Sequence, residues 1–200
     1  MKSIALVLMF VMVGCASFKA ERVDSKRSDE EGLEITDNWM AEDTRQAVNQ
    51  TIEQLRTHPS FKRFLQNKRG APKLFVAEVQ NNTAEAYFPI DDMNDELLFN
   101  LSRSGDYVLV DAKARESLLK EITYQNDGMV DPSTAKSIGK QIGADLMIFG
   151  SVYMKPESRS GKTIKEYSVN LRMTDVQRGV EVVRTRVRVN KFSDKKSYSW

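Results

Sequence analysis

One cysteine, one histidine and five prolines in 200 residues exclude several kinds of protein at once. A single thiol forms no intramolecular disulfide and builds no thiolate zinc cage. The one imidazole, His58, sits in a Thr57-His58-Pro59 turn between helical patterns, where an exposed loop residue is expected, and leaves nothing for a catalytic triad. Gly139, Gly143 and Gly150 are too scattered to make a phosphate-cradling loop, and there is no G-x-S-x-G elbow. The pairs Asp91–Asp92 and Asp95–Glu96 fall at a helix start, where carboxylates favour the positive end of the dipole. Asn126, Asp127 and Asp131 lack calcium-loop spacing. A formal net charge of +2 offers no bulk attraction to nucleic acid. These absences predict a protein that is not an enzyme and needs no cofactor or metal.

What is present begins at the N-terminus. Lys2 supplies a positive charge, Ile4–Val13 is an unbroken apolar run, and Gly14 precedes Cys15. Ten apolar residues are too few for a transmembrane helix, which needs about twenty. They match the hydrophobic region of a secretory signal. The only cysteine stands where the lipoprotein pathway attaches diacylglycerol, with Met12, Val13 and Gly14 as a loose lipobox. Residues 1–14 are therefore expected to be a signal peptide, cleaved between Gly14 and Cys15. Two or three acyl chains anchor a protein stably where one is marginal. Ala16, in place of a retention-type Asp, favours the outer membrane.

Ser17–Glu34 is mostly charged and sets up no sustained apolar periodicity, so residues 15–35 read as the lipidated N-terminus and a flexible tether. About 20 such residues would reach about 70 Å when extended and average nearer 25 Å as a coil. Residues 36–200 read as one domain. Its hydrophobic content, with 40% of the whole chain apolar and 29% charged, suits a single globular core.

Periodicity then orders the elements. Asp43 is expected to cap a helix carrying Val48, Ile52 and Leu55, and Pro59 to open a second with Phe61, Phe64 and Leu65. Lys73–Gln80 reads as a strand and Pro89–Ser102 as a helix. Tyr107–Asp111 reads as a short strand buried on both sides. Helices follow over Ala112–Gln125 and from Asp131 to Gly143, its cap. Leu146–Met154 opens apolar, as a central strand should, and Gly150 there marks a close-packing point. Lys165–Val176 and Val180–Phe192 alternate as a C-terminal antiparallel hairpin. Its three-residue turn, Gln177-Arg178-Gly179, wants a left-handed glycine and pairs Leu171 with Thr185 and Arg172 with Arg184. The fold class is α/β: a mixed sheet of about five strands flanked by helices.

Charge is uneven along this plan. From Lys155 onward there are 12 Lys and Arg against 5 Asp and Glu. Alternation sends Arg172, Arg184, Arg186 and Arg188 to the side opposite the buried valines. Such a stripe is either a solvated face, a face neutralised by acidic helix residues, or a docking face for an acidic partner. Asn81 and Thr83, at the end of the first strand, either fold their own turn or meet a partner.

Several ordered features resemble the penicillin-binding-protein activator lipoproteins, the LpoB family, over roughly residues 33–191. They are Asn38–Trp39 with Asp43, Pro59 with Phe61, Val79-Gln80-Asn81-Asn82-Thr83, and Ser104–Gly105. Arg115-Glu116 with Glu121 and Gln125, and Gly143-Ala144-Asp145 followed by Gly150, complete the set. The chain departs from the family pattern in having Glu181-Val182-Val183 where a Trp usually follows the last turn. The resemblance implies an outer-membrane lipoprotein facing the periplasm. It would bind a bifunctional peptidoglycan synthase, a penicillin-binding protein, and raise its activity. The alternative is a binding or assembly module of a secretion or export complex in the envelope.

Overall fold

The computed structural model describes residues 20–110 and 143–194. Gly14, Cys15 and the helices expected over 112–125 and 131–142 lie outside them. Helix α1 spans Ser25–Ile35, α2 Ala41–Thr57, α3 Pro59–Gln66 and α4 Ile90–Ser104. The strands are β1 (Lys73–Asn82), β2 (Val108–Leu109), β3 (Leu146–Arg159), β4 (Lys162–Asp175) and β5 (Val180–Asp194). They form one mixed sheet in the order β2-β1-β3-β4-β5. β1 runs parallel to β2 and β3, whereas β3, β4 and β5 are successively antiparallel. The α/β class and the single domain agree with the sequence reading.

The main core lies between the sheet and α2 and α4. Leu74, Val76 and Val79 of β1 meet Leu146, Ile148 and Val152 of β3, under Val48, Leu55, Met93, Leu97 and Leu101 of the helices. Phe75, Ala77, Met147 and Phe149 point the other way into a second, smaller cluster with Ala144 and Val176. β1 and β3 are thus buried on both faces at this end, which explains their continuous apolar runs. A Cβ on Gly150 would lie 2.0 Å from the Asn170 carbonyl oxygen, so the close approach of β3 to β4 depends on that glycine.

Two expectations fail for physical reasons. The described part of the segment read as Tyr107–Asp111 is not a strand buried on both sides. β2 has two residues at the sheet's edge, and Val108 is 52% exposed. Its inward anchor is the buried Tyr107, stacked on Phe61 at 5.5 Å. Within the stretch read as tether, Ser25–Ile35 is a helix without a single buried residue. Asp24 caps it by accepting from the Arg27 N–H, and Arg27 pairs with Glu31 one turn on. Local charge pairs and a cap support this helix, which a search for apolar periodicity passes over. Eleven helical residues span about 16 Å, less than half their extended length.

The helix starts also shift. α2 opens at Ala41, and Asp43 lies in its first turn, where its carboxylate accepts the Met40 N–H at 2.8 Å. His58 is half-buried and caps α3, its Nδ1 accepting the Ser60 N–H ahead of Pro59. The β4–β5 turn keeps the expected left-handed glycine but is one residue longer than expected: Val176 joins it, Asp175 pairs with Val180, and a bulge at Val182 restores the expected register. Gly179 has φ +69°, and Leu171 faces Thr185 while Arg172 faces Arg184.

Long-range polar contacts clamp the ends of the sheet. Asp145 accepts from Lys68 and from the Lys73 backbone N–H. Burial opposes its charge, but these two donors win and hold its carboxyl below the usual range. At the opposite end, Lys165 Nζ stands 2.9 Å from both Asp37 and Glu85. The Tyr167 hydroxyl donates to Glu85 at 2.7 Å, and its ring lies 5.1 Å from that of Trp39.

The arginine-lined sheet face as candidate functional site

Strand alternation builds the site. Tyr167, Val169, Leu171 and Met173 of β4, with Val183, Thr185 and Val187 of β5, turn into the main core. Their neighbours necessarily face the other way. The result is an open groove of about 540 Å³ on the second sheet face. Ser151 and Tyr153 of β3 line it, with Glu166, Ser168, Asn170 and Arg172 of β4 and Arg184, Arg186 and Arg188 of β5. All four arginines singled out from the sequence are therefore brought together.

Like charges directly opposite disfavour pairing, and each arginine here is steered by its own neighbour. Arg172 lies over the Phe149 ring, 4.5 Å from its centroid, a cation–π contact. Arg184 forks onto Glu181 at 3.0 and 2.7 Å. That pairing raises the guanidinium's pKa and lowers that of Glu181. Arg186 Nε donates to Asn170 Oδ1 at 2.7 Å, and Arg188 Nε stands 3.9 Å from Glu166. Among the described residues, the acids beside the stripe, Glu181 and Glu166, thus lie on the strands. Four guanidiniums stand against two carboxylates among the described residues, which leaves this face electropositive.

Asn81 and Thr83 are not part of this stripe. Asn81 Oδ1 accepts from both the backbone N–H (2.9 Å) and the hydroxyl (2.6 Å) of Thr83. Thr83 Oγ1 in turn accepts the Glu85 N–H. Both side chains fold the turn after β1. Sequence reading missed Tyr153, which faces Ser168 across β3 and β4. Hydrogen bonds from Ser151 and Asn82, with Arg172 nearby, hold its phenol below the ordinary value. Tyr153 lies within the strand read as Leu146–Met154, and carrying the alternation to that strand's outward positions would have found it.

Among the described residues, no group of three His, Cys, Asp or Glu is placed to hold a metal ion. No described helix is long and apolar enough to cross a membrane. What fold and face define together, among the described residues, is a small α/β domain whose sheet packs helices on one face and, beside the second cluster, presents a charged groove on the other.

The family follows from comparison. The model of the peptidoglycan-synthase activator LpoB matches residues 43–187, and the chain belongs to that family. Its members are activators rather than catalysts. Among solved structures, the LpoB C-terminal domain from Escherichia coli aligns with a TM-score of 0.50 at 16% identity, covering 74% of this chain and 98% of that one. The corresponding domain from Salmonella enterica gives 0.44 at 18% identity, over 66% and 93% of the two chains. Lipoprotein GNA1162 from Neisseria meningitidis gives 0.46 at 16%, over 64% and 88%. At 16% identity the likeness to the Escherichia coli domain is one of fold. Among curated proteins the comparison found no match.

Proposed function

We propose that this chain is an outer-membrane lipoprotein, anchored through Cys15, whose domain docks on a bifunctional penicillin-binding protein in the periplasm and activates it. The observation that carries the docking face is the electropositive groove of Arg172, Arg184, Arg186 and Arg188 on a fold of the activator family. Three of these guanidiniums sit on β5, at the outer edge of the sheet. Charges so placed steer an acidic surface during encounter, raising the association rate more than they slow release. Activation is a coupling: the lipoprotein must bind the active synthase more tightly than the idle one.

Reversing two of these charges tests the docking face. Arg184→Glu with Arg186→Glu should slow association with the cognate synthase about tenfold at low salt and much less at high salt. The thermal midpoint should hardly move, because an exposed pair such as Arg184–Glu181 contributes under about 1 kcal/mol. An unchanged rate at low salt would make the stripe a solvated face. The anchor has its own measurement. Wild type should partition into the detergent phase, and Cys15→Ser should remain in the aqueous phase. Equal partitioning of the two would refute lipid attachment at Cys15.

A further inference from the structure

β5 ends the sheet, and a strand at an edge normally exposes a row of unpaired N–H and C=O groups. One side chain already treats that edge as a strand would. The Gln54 carboxamide accepts the Arg186 N–H at 3.0 Å and donates to the Arg186 carbonyl oxygen at 3.0 Å. It thereby satisfies both backbone groups of one residue, as the peptide unit of a neighbouring strand does. These contacts establish that the Arg186 backbone points outward. By the period of two, so do the backbones of Arg184, Arg188, Asn190 and Phe192. No described residue pairs with the outward groups of Arg188 or Asn190.

The same period aligns chemistry with that edge. The side chains of Arg184, Arg186 and Arg188 rise on the groove side of this strand. Phe192, 62% exposed, lies further along and faces Ile164, itself 46% exposed, across the ladder. A strand laid against β5 would set its own alternate side chains beside these residues. A second copy of this chain is a poor occupant. Antiparallel pairing of two β5 edges about Arg186 would place Arg184 against Arg188 in both directions.

We propose that the β5 edge accepts an extended acidic segment of the partner as a sixth strand. Carboxylates stand opposite Arg186 and Arg188, and an apolar side chain covers Phe192. Gln54 is a placeholder that the incoming backbone displaces. This rests on the docking reading above and specifies its geometry: main-chain hydrogen bonds hold the segment, and the arginines select its sequence.

The test uses the full-length lipoprotein in detergent and synthetic peptides alternating glutamate with valine, ending in leucine. One version is N-methylated at the residues whose N–H would face β5, and another carries lysine for glutamate. The acidic peptide should bind and slow hydrogen exchange at the Arg188 and Asn190 amides, while the lysine version should not bind. N-methylation should weaken affinity at least about fivefold, with charge unchanged. Gln54→Ala should tighten binding. Asn190→Pro, which removes an outward donor without breaking the β4 ladder, should weaken it. Equal affinity of methylated and unmethylated peptides, or no binding of the acidic one, overturns strand addition. So does self-association through β5. If the Arg184→Glu/Arg186→Glu double variant still slows association with the synthase in that event, docking through the groove stands without the added strand. If it does not, both readings fall.

Discussion

Replacing Asp43 with alanine should destabilise the domain by about 3–5 kcal/mol, although Asp43 belongs to the first turn of a surface helix. Its carboxylate lies 2.7 Å from Lys191 Nζ, and the two side chains are only 11% and 6% exposed. The same oxygen accepts the Met40 N–H. One group therefore closes the start of α2 and ties it to β5, 148 positions away in the chain. Without it, the Lys191 ammonium remains buried with no opposite charge beside it, which costs far more than an exposed pair ever contributes. Lys191→Met in the same chain removes the stranded charge, so the double variant should recover much of the loss. Denaturant midpoints of the single and double variants measure this coupling. Strictly additive losses would show that the pair is not a unit.

Ile148→Ala should cost about 2–5 kcal/mol through the cavity it leaves. Ile148 is fully buried near the start of β3, the middle strand of the sheet, paired with Val76 of β1 on one side and Met173 of β4 on the other. Neighbours in three strands and the helices above cannot all collapse into the space of the lost atoms. Val108→Ala, on the exposed edge strand β2, is the control and should shift stability by no more than about 0.5 kcal/mol. A denaturation midpoint for Ile148→Ala that matches this control would remove β3 from the centre of the fold.

The residues that made these elements legible are few and local. The unbroken apolar start of β3 announced a central strand, and Met147 and Phe149 fill the second cluster as that pattern requires. The reading of β2 failed because YVLV carries the same signal as a central strand, while its position at the edge depends on what pairs beside it. The helix Ser25–Ile35 was passed over because its support is a cap and exposed charge pairs. It shortens the reach estimated for a fully extended tether. Of the candidate site, the four arginines were visible as a face, whereas the Glu181, Glu166 and Phe149 contacts beside them were not.

By itself the sequence determined the alternation of β4 and β5 and the facing of Leu171 and Thr185, although the turn ending in Gly179 is one residue longer than expected and a bulge at Val182 takes up the difference. Side-chain period and turn chemistry act between residues close in the chain, so they can be read from it, and a slip of one residue would have turned Val187 and its neighbours into solvent. The tertiary structure alone decided which strand became an edge. It decided that Glu166 and Glu181 would stand beside the arginines. It also decided that Gln54 would reach Arg186, 132 positions on, and that Lys191 would be buried against Asp43. Such pairings have no local signature, because they exist only once the packing of α2 across the sheet has brought distant segments within hydrogen-bonding distance.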